Sequence, residues 1–175
     1  GPAGIAAAIQ LNRYGLEPLL LERGELGGLL WNANLVENYP GFPNGVRGEK
    51  LISLMRAQME RIGVDVNREE VVSVEQNGEE FSVITKNVKR KANYLVIASG
   101  TKSKPLPNII SPEARTRVFT EVWPLYEVFD KEVILVGAGD AAFDYALNLS
   151  KNRNFVTILN RGESVKCLGL LFERA

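Results

Sequence analysis

The stretch VILVGAGDAAFDYALNLSKNRNFVTILNR, residues 133–161, decides the fold, because its pattern indicates a strand, a glycine turn, a helix and a second strand. Its first four residues predict a buried strand, and the apolar run 156–159 predicts the strand that returns. Gly137, Gly139 and Ala142 lie between them as G-x-G-x-x-A. In a dinucleotide-binding unit such small residues allow a tight turn, close approach of a pyrophosphate and close packing of helix on strand.

The start of this helix is the expected binding position. The first N–H groups of a helix have no partner inside it, and the helix dipole is positive there, so an anion binds favourably. Apolar residues at helical spacing follow, and we expect them to face the core: Ala142, Phe143, Ala146, Leu147 and Leu149. The alternative is a turn that only packs an α/β domain.

The composition argues against several classes of function. The 175 residues contain 21 Lys and Arg and 21 Asp and Glu, so no basic surplus indicates a nucleic-acid partner. No apolar run approaches the length of a membrane span. Cys167 is the single cysteine and there is no histidine, so we assign neither a metal site nor a catalytic side chain. We therefore expect a bound cofactor to supply the chemistry.

A second nucleotide pattern opens the chain. Gly1 and Gly4 belong to GPAG, which runs into a predicted helix over 5–14. Glu22 ends a predicted strand over 17–22, eighteen residues after Gly4, where a Rossmann unit places an acid for ribose hydroxyls. The first glycine and first strand of such a unit are missing, so we expect a piece of a longer polypeptide rather than a short protein with a chance GPAG start. An intact mass of 19.3 kDa would contradict this expectation.

A long loop, residues 23–47, follows the first pattern. Loops of this length in compact domains are usually functional or disordered, and the apolar and aromatic residues of this one favour order. Asn32, Asn34 and Asn38 either offer amides to a polar ring edge or close turns.

The centre of the chain is predicted to hold a helix, a short strand and an antiparallel meander. The helix covers 48–62 and packs its apolar face on the core, and the strand covers 64–66. The meander has strands at 71–74, 81–85 and 92–98, with a hairpin at Asn77-Gly78, a solvated basic turn at 87–91 and a last strand that joins a buried sheet. Residues 102–110, KSKPLPNII, predict a linker, which is either a hinge or a static spacer.

Five stretches together resemble the two-dinucleotide-domain flavoproteins of the thioredoxin reductase type: GPAG with Glu22, GELGG, ENYPGFP, ASGT and VGAGDAAFDYALNL. The resemblance implies an α/β fold with two Rossmann-like, three-layer ββα-type domains, the first of which carries the antiparallel meander. It implies an FAD-binding domain over 1–104, without its first strand and C-terminal return segment, and a partial NAD(P)-binding domain over 105–175. It also implies a cytoplasmic homodimer.

The resemblance further implies which residues bind the cofactors. The first fingerprint binds FAD in this family and the second binds NADPH. The FAD contacts would be Gly1, Gly4, Glu22, Gly28, Asn34 and Asn38, with Gly100 nearby. The nicotinamide cofactor would be held by Gly137, Gly139, Asp140 and Ala142.

The expected cysteines are absent. Thioredoxin reductases carry Cys-x-x-Cys shortly before the second fingerprint, where residues 120–123 of this chain are TEVW. Related disulfide reductases have a cysteine pair that residues 29–38 lack, and Cys167 alone forms no redox pair. Thioredoxin-reductase-like ferredoxin–NADP reductases also lack both pairs, and the run 139–149 resembles theirs. The segment ENYPGFP resembles thioredoxin reductases more, so the subgroup stays open.

Asn160 and Arg161 bear on the choice of nicotinamide cofactor. Asn160 follows Ala142 by eighteen residues, so an amide stands where an NAD site favours a carboxylate. Arg161 offers a charge to a 2′-phosphate, although Gly162 replaces the second arginine of NADPH-specific relatives. This pattern favours NADPH over NADH, and the alternative for Arg161 is a solvated surface charge.

Together these features predict an FAD-dependent NAD(P)H oxidoreductase. Hydride would pass from the nicotinamide to the flavin and on to an external acceptor, for which ferredoxin, flavodoxin, a quinone and oxygen are open. Two alternatives remain: a thioredoxin-disulfide reductase with a dithiol outside these residues, and an FAD- or NAD(P)-binding module without turnover.

Overall fold

The computed structural model describes residues 1–103 and 111–175, which form two compact units. The first contains Gly1–Leu30 and Glu49–Thr101, and the second contains Trp31–Gly48 and Lys102–Ala175. Most of the predicted linker, residues 104–110, lies outside the described residues. The domains 1–104 and 105–175 stay a prediction, and in the structure the loop segment Trp31–Gly48 packs with the second unit.

The first unit joins two helices to a pair of parallel strands. Its elements are α1 (Pro2–Arg13), β1 (Leu20–Glu22), α2 (Gly48–Arg61) and β2 (Val66–Arg68). Pro2 starts α1, where a missing N–H costs nothing. The strands β1 and β2 pair in parallel with Leu20 opposite Val66. The methionines of α2 are buried, as expected of core residues.

A three-stranded antiparallel meander completes this unit. Its strands are β3 (Val71–Asn77), β4 (Glu80–Thr85) and β5 (Lys89–Ala92), in the order β3-β4-β5. The meander and its first hairpin are therefore confirmed. The third strand was wrongly placed, because residues 89–91 of the predicted basic turn are in β5 and residues 94–98 form no strand.

The misplacement has a physical cause. Phe81 to Ile84 of β4 need partners on their open side, and Lys89 to Ala92 supply them at the sheet edge. Lysines suit an edge strand, because they face water and discourage further pairing. Tyr94, Val96 and Ile97 are exposed, so the apolar run that predicted a buried strand has no sheet to join among the described residues.

The second unit contains the strand, turn, helix and strand expected from residues 133–161. Its elements are β6 (Glu132–Val136), α3 (Asp140–Ser150), β7 (Phe155–Leu159) and a short α4 (Gly169–Arg174). The strands pair in parallel, with Val136 opposite Leu159. Phe143, Ala146 and Leu149 are buried on α3, which confirms most of its predicted apolar face. Among the described residues no helix has both the length and the hydropathy needed to cross a bilayer.

The burial of α2 gives a first testable prediction. Leu51 is 3% exposed and Leu54 is 42% exposed on the same helix. Leu51→Ala should cost about 2–5 kcal/mol because it removes buried methyl groups and leaves a cavity, whereas Leu54→Ala should cost about 1 kcal/mol or less. Native-state hydrogen exchange of the α2 amides measures both losses, and equal losses would contradict this packing.

Candidate functional site

The second glycine turn connects β6 to α3. Gly137 has φ +111, a conformation that L side chains rarely adopt, and its N–H donates to the Leu159 carbonyl at 2.9 Å. Gly139 is the N-cap of α3, and its carbonyl accepts from the N–H groups of Ala142 at 3.0 Å and Phe143 at 3.3 Å. A Cβ built on Gly137 would meet no atom within 4 Å, so the space beside the turn is open.

The backbone of residues 166–168 lies against this turn. The Lys166 N–H donates to the Ala138 carbonyl at 3.0 Å, and Lys166 forms a parallel bridge with Gly139. The Asp140 carboxylate accepts from the Leu168 N–H at 2.7 Å. The start of α3 is therefore less open than the sequence predicts, and Asp140 fastens a neighbouring segment.

Lys166 is a candidate residue that the sequence reasoning missed. The sequence pattern predicts a phosphate-binding cation at Arg161, in the loop that follows β7. The sequence feature that could have indicated it is that Lys166 is a second basic residue in the same loop as Arg161. The bridge to Gly139 brings the Lys166 backbone to the fingerprint turn, which a rule based on spacing alone does not reveal.

A compact loop follows β7. The Asn160 amide nitrogen donates to the carbonyls of Gly162 at 2.8 Å and Ser164 at 3.0 Å. The amide oxygen accepts from the Gly162 N–H at 3.4 Å. Arg161 lies on this loop with an exposed side chain, so its charge faces solvent.

Four residues expected at the first turn come together in the first unit. Glu22 accepts from the Gly24 N–H at 3.1 Å and from the Gly1 amine at 3.3 Å. A Cβ on Gly28 would lie 3.5 Å from the Gly1 Cα, and one on Gly4 would lie 3.4 Å from the Leu20 Cδ1. Small residues at these positions therefore allow close backbone approach and close packing of α1 on β1.

The remaining predicted FAD residues are placed differently. Gly100 has φ +66, and a Cβ there would meet nothing within 4 Å. Asn34 and Asn38 belong to the second unit, where Asn38 is exposed. The Asn34 N–H donates to the Asp144 carboxylate at 2.9 Å, and its amide oxygen accepts from the Lys151 ammonium.

A cavity of about 100 Å³ lies in the second unit. It is smaller than the several hundred cubic ångströms of a typical ligand pocket, so it does not suit a dinucleotide. Its lining residues are Arg47, Tyr126, Asn148, Leu149, Lys151 and Asn152.

Comparison with known proteins places this geometry in a family. The family model described as pyridine nucleotide-disulphide oxidoreductase matches residues 34–168. The chain belongs to this family. The expectation of a thioredoxin reductase-like member is confirmed by the relatives that share its sequence and fold.

Three of these relatives are thioredoxin reductases. The Mycolicibacterium smegmatis protein is 32% identical over 178 residues, which cover 100% of this chain and 57% of the relative. The Lactococcus lactis crystal structure in the FR conformation has a TM-score of 0.89 and 30% identity, over 99% of this chain and 58% of the other. The crystal structure of T. acidophilum thioredoxin reductase has a TM-score of 0.84 and 26% identity, over 99% of this chain and 58% of the other. The chain thus spans a little over half the length of these relatives, and the Rossmann-like α/β fold is confirmed.

A buried asparagine binds the backbone of residues 120–123, where the family resemblance places the thioredoxin reductase dithiol. Asn32 is 2% exposed, and its amide oxygen accepts from the N–H groups of Val122 at 3.0 Å and Trp123 at 3.2 Å. The Tyr126 hydroxyl also donates to the Trp31 carbonyl. In this member of the family, Val122 and Trp123 are therefore fastened by Asn32 at the start of a 3-10 helix over Trp123–Leu125.

Asp144 of the second unit has a carboxyl group whose pKa is shifted by its surroundings. Burial raises the pKa of its carboxyl above the ordinary value, while the N–H groups of Asn34 and Leu35 and the Lys151 charge act in the opposite direction. Because the folded protein binds this proton more tightly than the unfolded chain, the stabilisation is present below the unfolded-state pKa. It is lost as the pH rises through the folded-state value.

We predict that Asp144→Asn removes this loss. The difference in unfolding free energy, variant minus wild type, should increase between about pH 4 and pH 7, because only the wild type ionises a buried carboxyl. Urea titrations followed by fluorescence of Trp31 and Trp123 report on this unit. Glu173→Gln, at an exposed position of α4, controls for loss of a negative charge. A difference that is flat or falls with pH would contradict the prediction.

Proposed function

We propose that the protein is an FAD-dependent NAD(P)H oxidoreductase that binds FAD at the first turn and NADP at the second. The observation that carries the proposal is the β6–α3 turn, where the space beside Gly137 is open and the loop after β7 bears Arg161 and Lys166. A dinucleotide needs accessible backbone for its pyrophosphate and cations for further phosphate. Both are present in one unit.

The residues of the first unit fit the ADP portion of FAD. Gly1, Gly4 and Gly28 keep side chains away from the turn, and the Glu22 carboxylate accepts hydrogen bonds, as a ribose-binding acid does. We retain Gly100, Asn34 and Asn38 as proposed flavin contacts from the family resemblance. When bound, the two cofactors supply the hydride transfer, and the side chains supply position and charge.

Arg161 and Lys166 support NADP over NAD in the second unit. Each of them brings a positive charge to the loop that follows β7, where an acidic side chain would repel a 2′-phosphate. In this scheme Gly137, Gly139 and Ala142 line the pyrophosphate position. Asp140 acts indirectly, because its carboxylate holds Leu168 and thereby the segment that contains Lys166.

The absence of a cysteine pair at residues 120–123 bears on the choice of electron acceptor. Residues 120–123 contain no cysteine, and Val122 and Trp123 are fastened to Asn32, so we propose an external acceptor of the ferredoxin, flavodoxin, quinone or oxygen kind. Thioredoxin, with a dithiol outside these residues, is the second candidate, because the relatives are named thioredoxin reductases. A cytoplasmic homodimer belongs to the same proposal.

Anaerobic mixing tests the proposal. The full-length protein loaded with FAD should lose its visible flavin absorbance on addition of NADPH, and more slowly on addition of NADH. Oxidised thioredoxin, ferredoxin, flavodoxin, a quinone or oxygen is then added to the reduced protein, and the recovery of absorbance identifies the acceptor. A flavin that neither nucleotide bleaches would instead support a binding module without turnover.

Arg161 gives a quantitative prediction. Arg161→Ala should raise the KM for NADPH by about tenfold or more, because one charge-assisted hydrogen bond to phosphate is lost. The KM for NADH should change little. Arg117→Ala, which removes an exposed arginine elsewhere in the second unit, is the matched control. Equal effects on the two nucleotides would show that Arg161 is not a ligand of the 2′-phosphate.

A further inference from the structure

Asn160 and Glu22 occupy equivalent positions in the two nucleotide patterns. Each follows the last small residue of its turn by eighteen positions, and each accepts a hydrogen bond from the N–H two residues later. Glu22 binds Gly24 in this way, and Asn160 binds Gly162. This shared contact is the short-range turn typical of side-chain oxygens.

The two side chains differ in what they donate. The Asn160 NH₂ group donates to the Gly162 and Ser164 carbonyls, at 2.8 Å and 3.0 Å. A carboxylate is an acceptor without a proton to give, so at position 160 it would face two carbonyl oxygens with no hydrogen between them. Both carbonyl contacts of this loop therefore depend on a donor at its first residue.

The same loop is fastened at its other end. The Asp140 carboxylate holds the Leu168 N–H, and the Lys166 N–H donates to Ala138. Arg161 lies between the Asn160 amide and these contacts. The conformation available to Arg161 is thus limited by the side chain of the residue before it.

We infer that Asn160 is a positioning residue that selects NADP, because its amide folds the 160–164 turn and so presents Arg161 to a 2′-phosphate. This inference rests on the proposed function and goes further. Asn160 does more than avoid repulsion of a phosphate, because its NH₂ group donates the hydrogen bonds that fold the loop. A residue with neither charge nor donor should therefore lose selectivity as well.

Substitution by alanine distinguishes a positioning role of Asn160 from the mere absence of a negative charge. With full-length FAD-loaded protein, Asn160→Ala should weaken binding of 2′,5′-ADP and raise the KM for NADPH, each by about tenfold, because Arg161 loses its support. Binding of ADP, the KM for NADH and kcat should stay within about twofold, since they do not use the 2′-phosphate contact. Asn160→Asp should weaken 2′,5′-ADP binding further, and Asn160→Gln, which keeps the NH₂ group, should recover part of the affinity.

Hydrogen–deuterium exchange supplies a readout that is independent of turnover. The peptide that contains residues 160–165 should exchange faster in Asn160→Ala and Asn160→Asp than in the wild type, and Asn160→Gln should lie between. Asn87→Ala, at an exposed turn of the first unit, controls for the loss of an amide.

The outcomes separate this inference from the proposed function. If the wild type binds 2′,5′-ADP and Asn160→Ala matches it in affinity and exchange, the positioning role is wrong and the proposed function stands. If the wild-type flavin is not bleached and neither nucleotide binds, both are overturned. Retained selectivity in Asn160→Ala with lost selectivity in Asn160→Asp would mean that charge alone decides.

Discussion

The parallel register of β6 and β7 is the constraint on which the second unit depends. Val136 pairs with Leu159, and the Gly137 N–H continues the ladder to the Leu159 carbonyl. Because the carboxyl ends of parallel strands meet at one edge of the sheet, the glycine turn and the loop that begins at Asn160 become neighbours. A shift of one residue would turn every side chain of the shifted strand to the other face and move this loop out of register with the glycine turn.

Asparagine side chains bind backbone groups that lie outside the strand ladder of this unit. Asn154 accepts from the Lys131 N–H and donates to the Val128 and Leu149 carbonyls, so one amide binds three backbone groups. Asn32 similarly binds two N–H groups from residues ninety positions further along the chain. An amide offers both donors and acceptors, which lets it satisfy buried backbone groups that lie outside helices and sheets. These side-chain hydrogen bonds join segments of the described chain that the β6–β7 ladder does not reach.

The sequence predicted what depends on local pattern. The glycine turn, the apolar face of α3, the core face of α2 and the hairpin at Asn77-Gly78 all follow from residue type and spacing. The position of β5 did not follow, because hydropathy favours residues 92–98 while the partners available on β4 select Lys89–Ala92. Pairing is a property of two segments, and the composition of one of them does not determine it.

Long-range contacts limited the prediction of the site in the same way. The Asn34 contact to Asp144 spans 110 positions, and the Asp140 contact to Leu168 spans 28. Asp140 was assigned to the cofactor by its place in the fingerprint, and its carboxylate in the structure faces a backbone N–H. No spacing rule gives this partner, because it depends on how the loop returns after β7.

Glu22 and Asn160 close the same kind of turn with side chains of different hydrogen-bonding capacity. Both residues close the same short turn through a side-chain oxygen, so the backbone does not distinguish a carboxylate from an amide at that step. What distinguishes them is the rest of the side chain. A carboxylate retains a second acceptor for a hydroxyl donor, whereas an amide converts that position into a donor and draws the following carbonyls inward. If the proposed selectivity holds, the choice between a ribose hydroxyl and a ribose phosphate depends on the folding of this loop as well as on the sign of a charge.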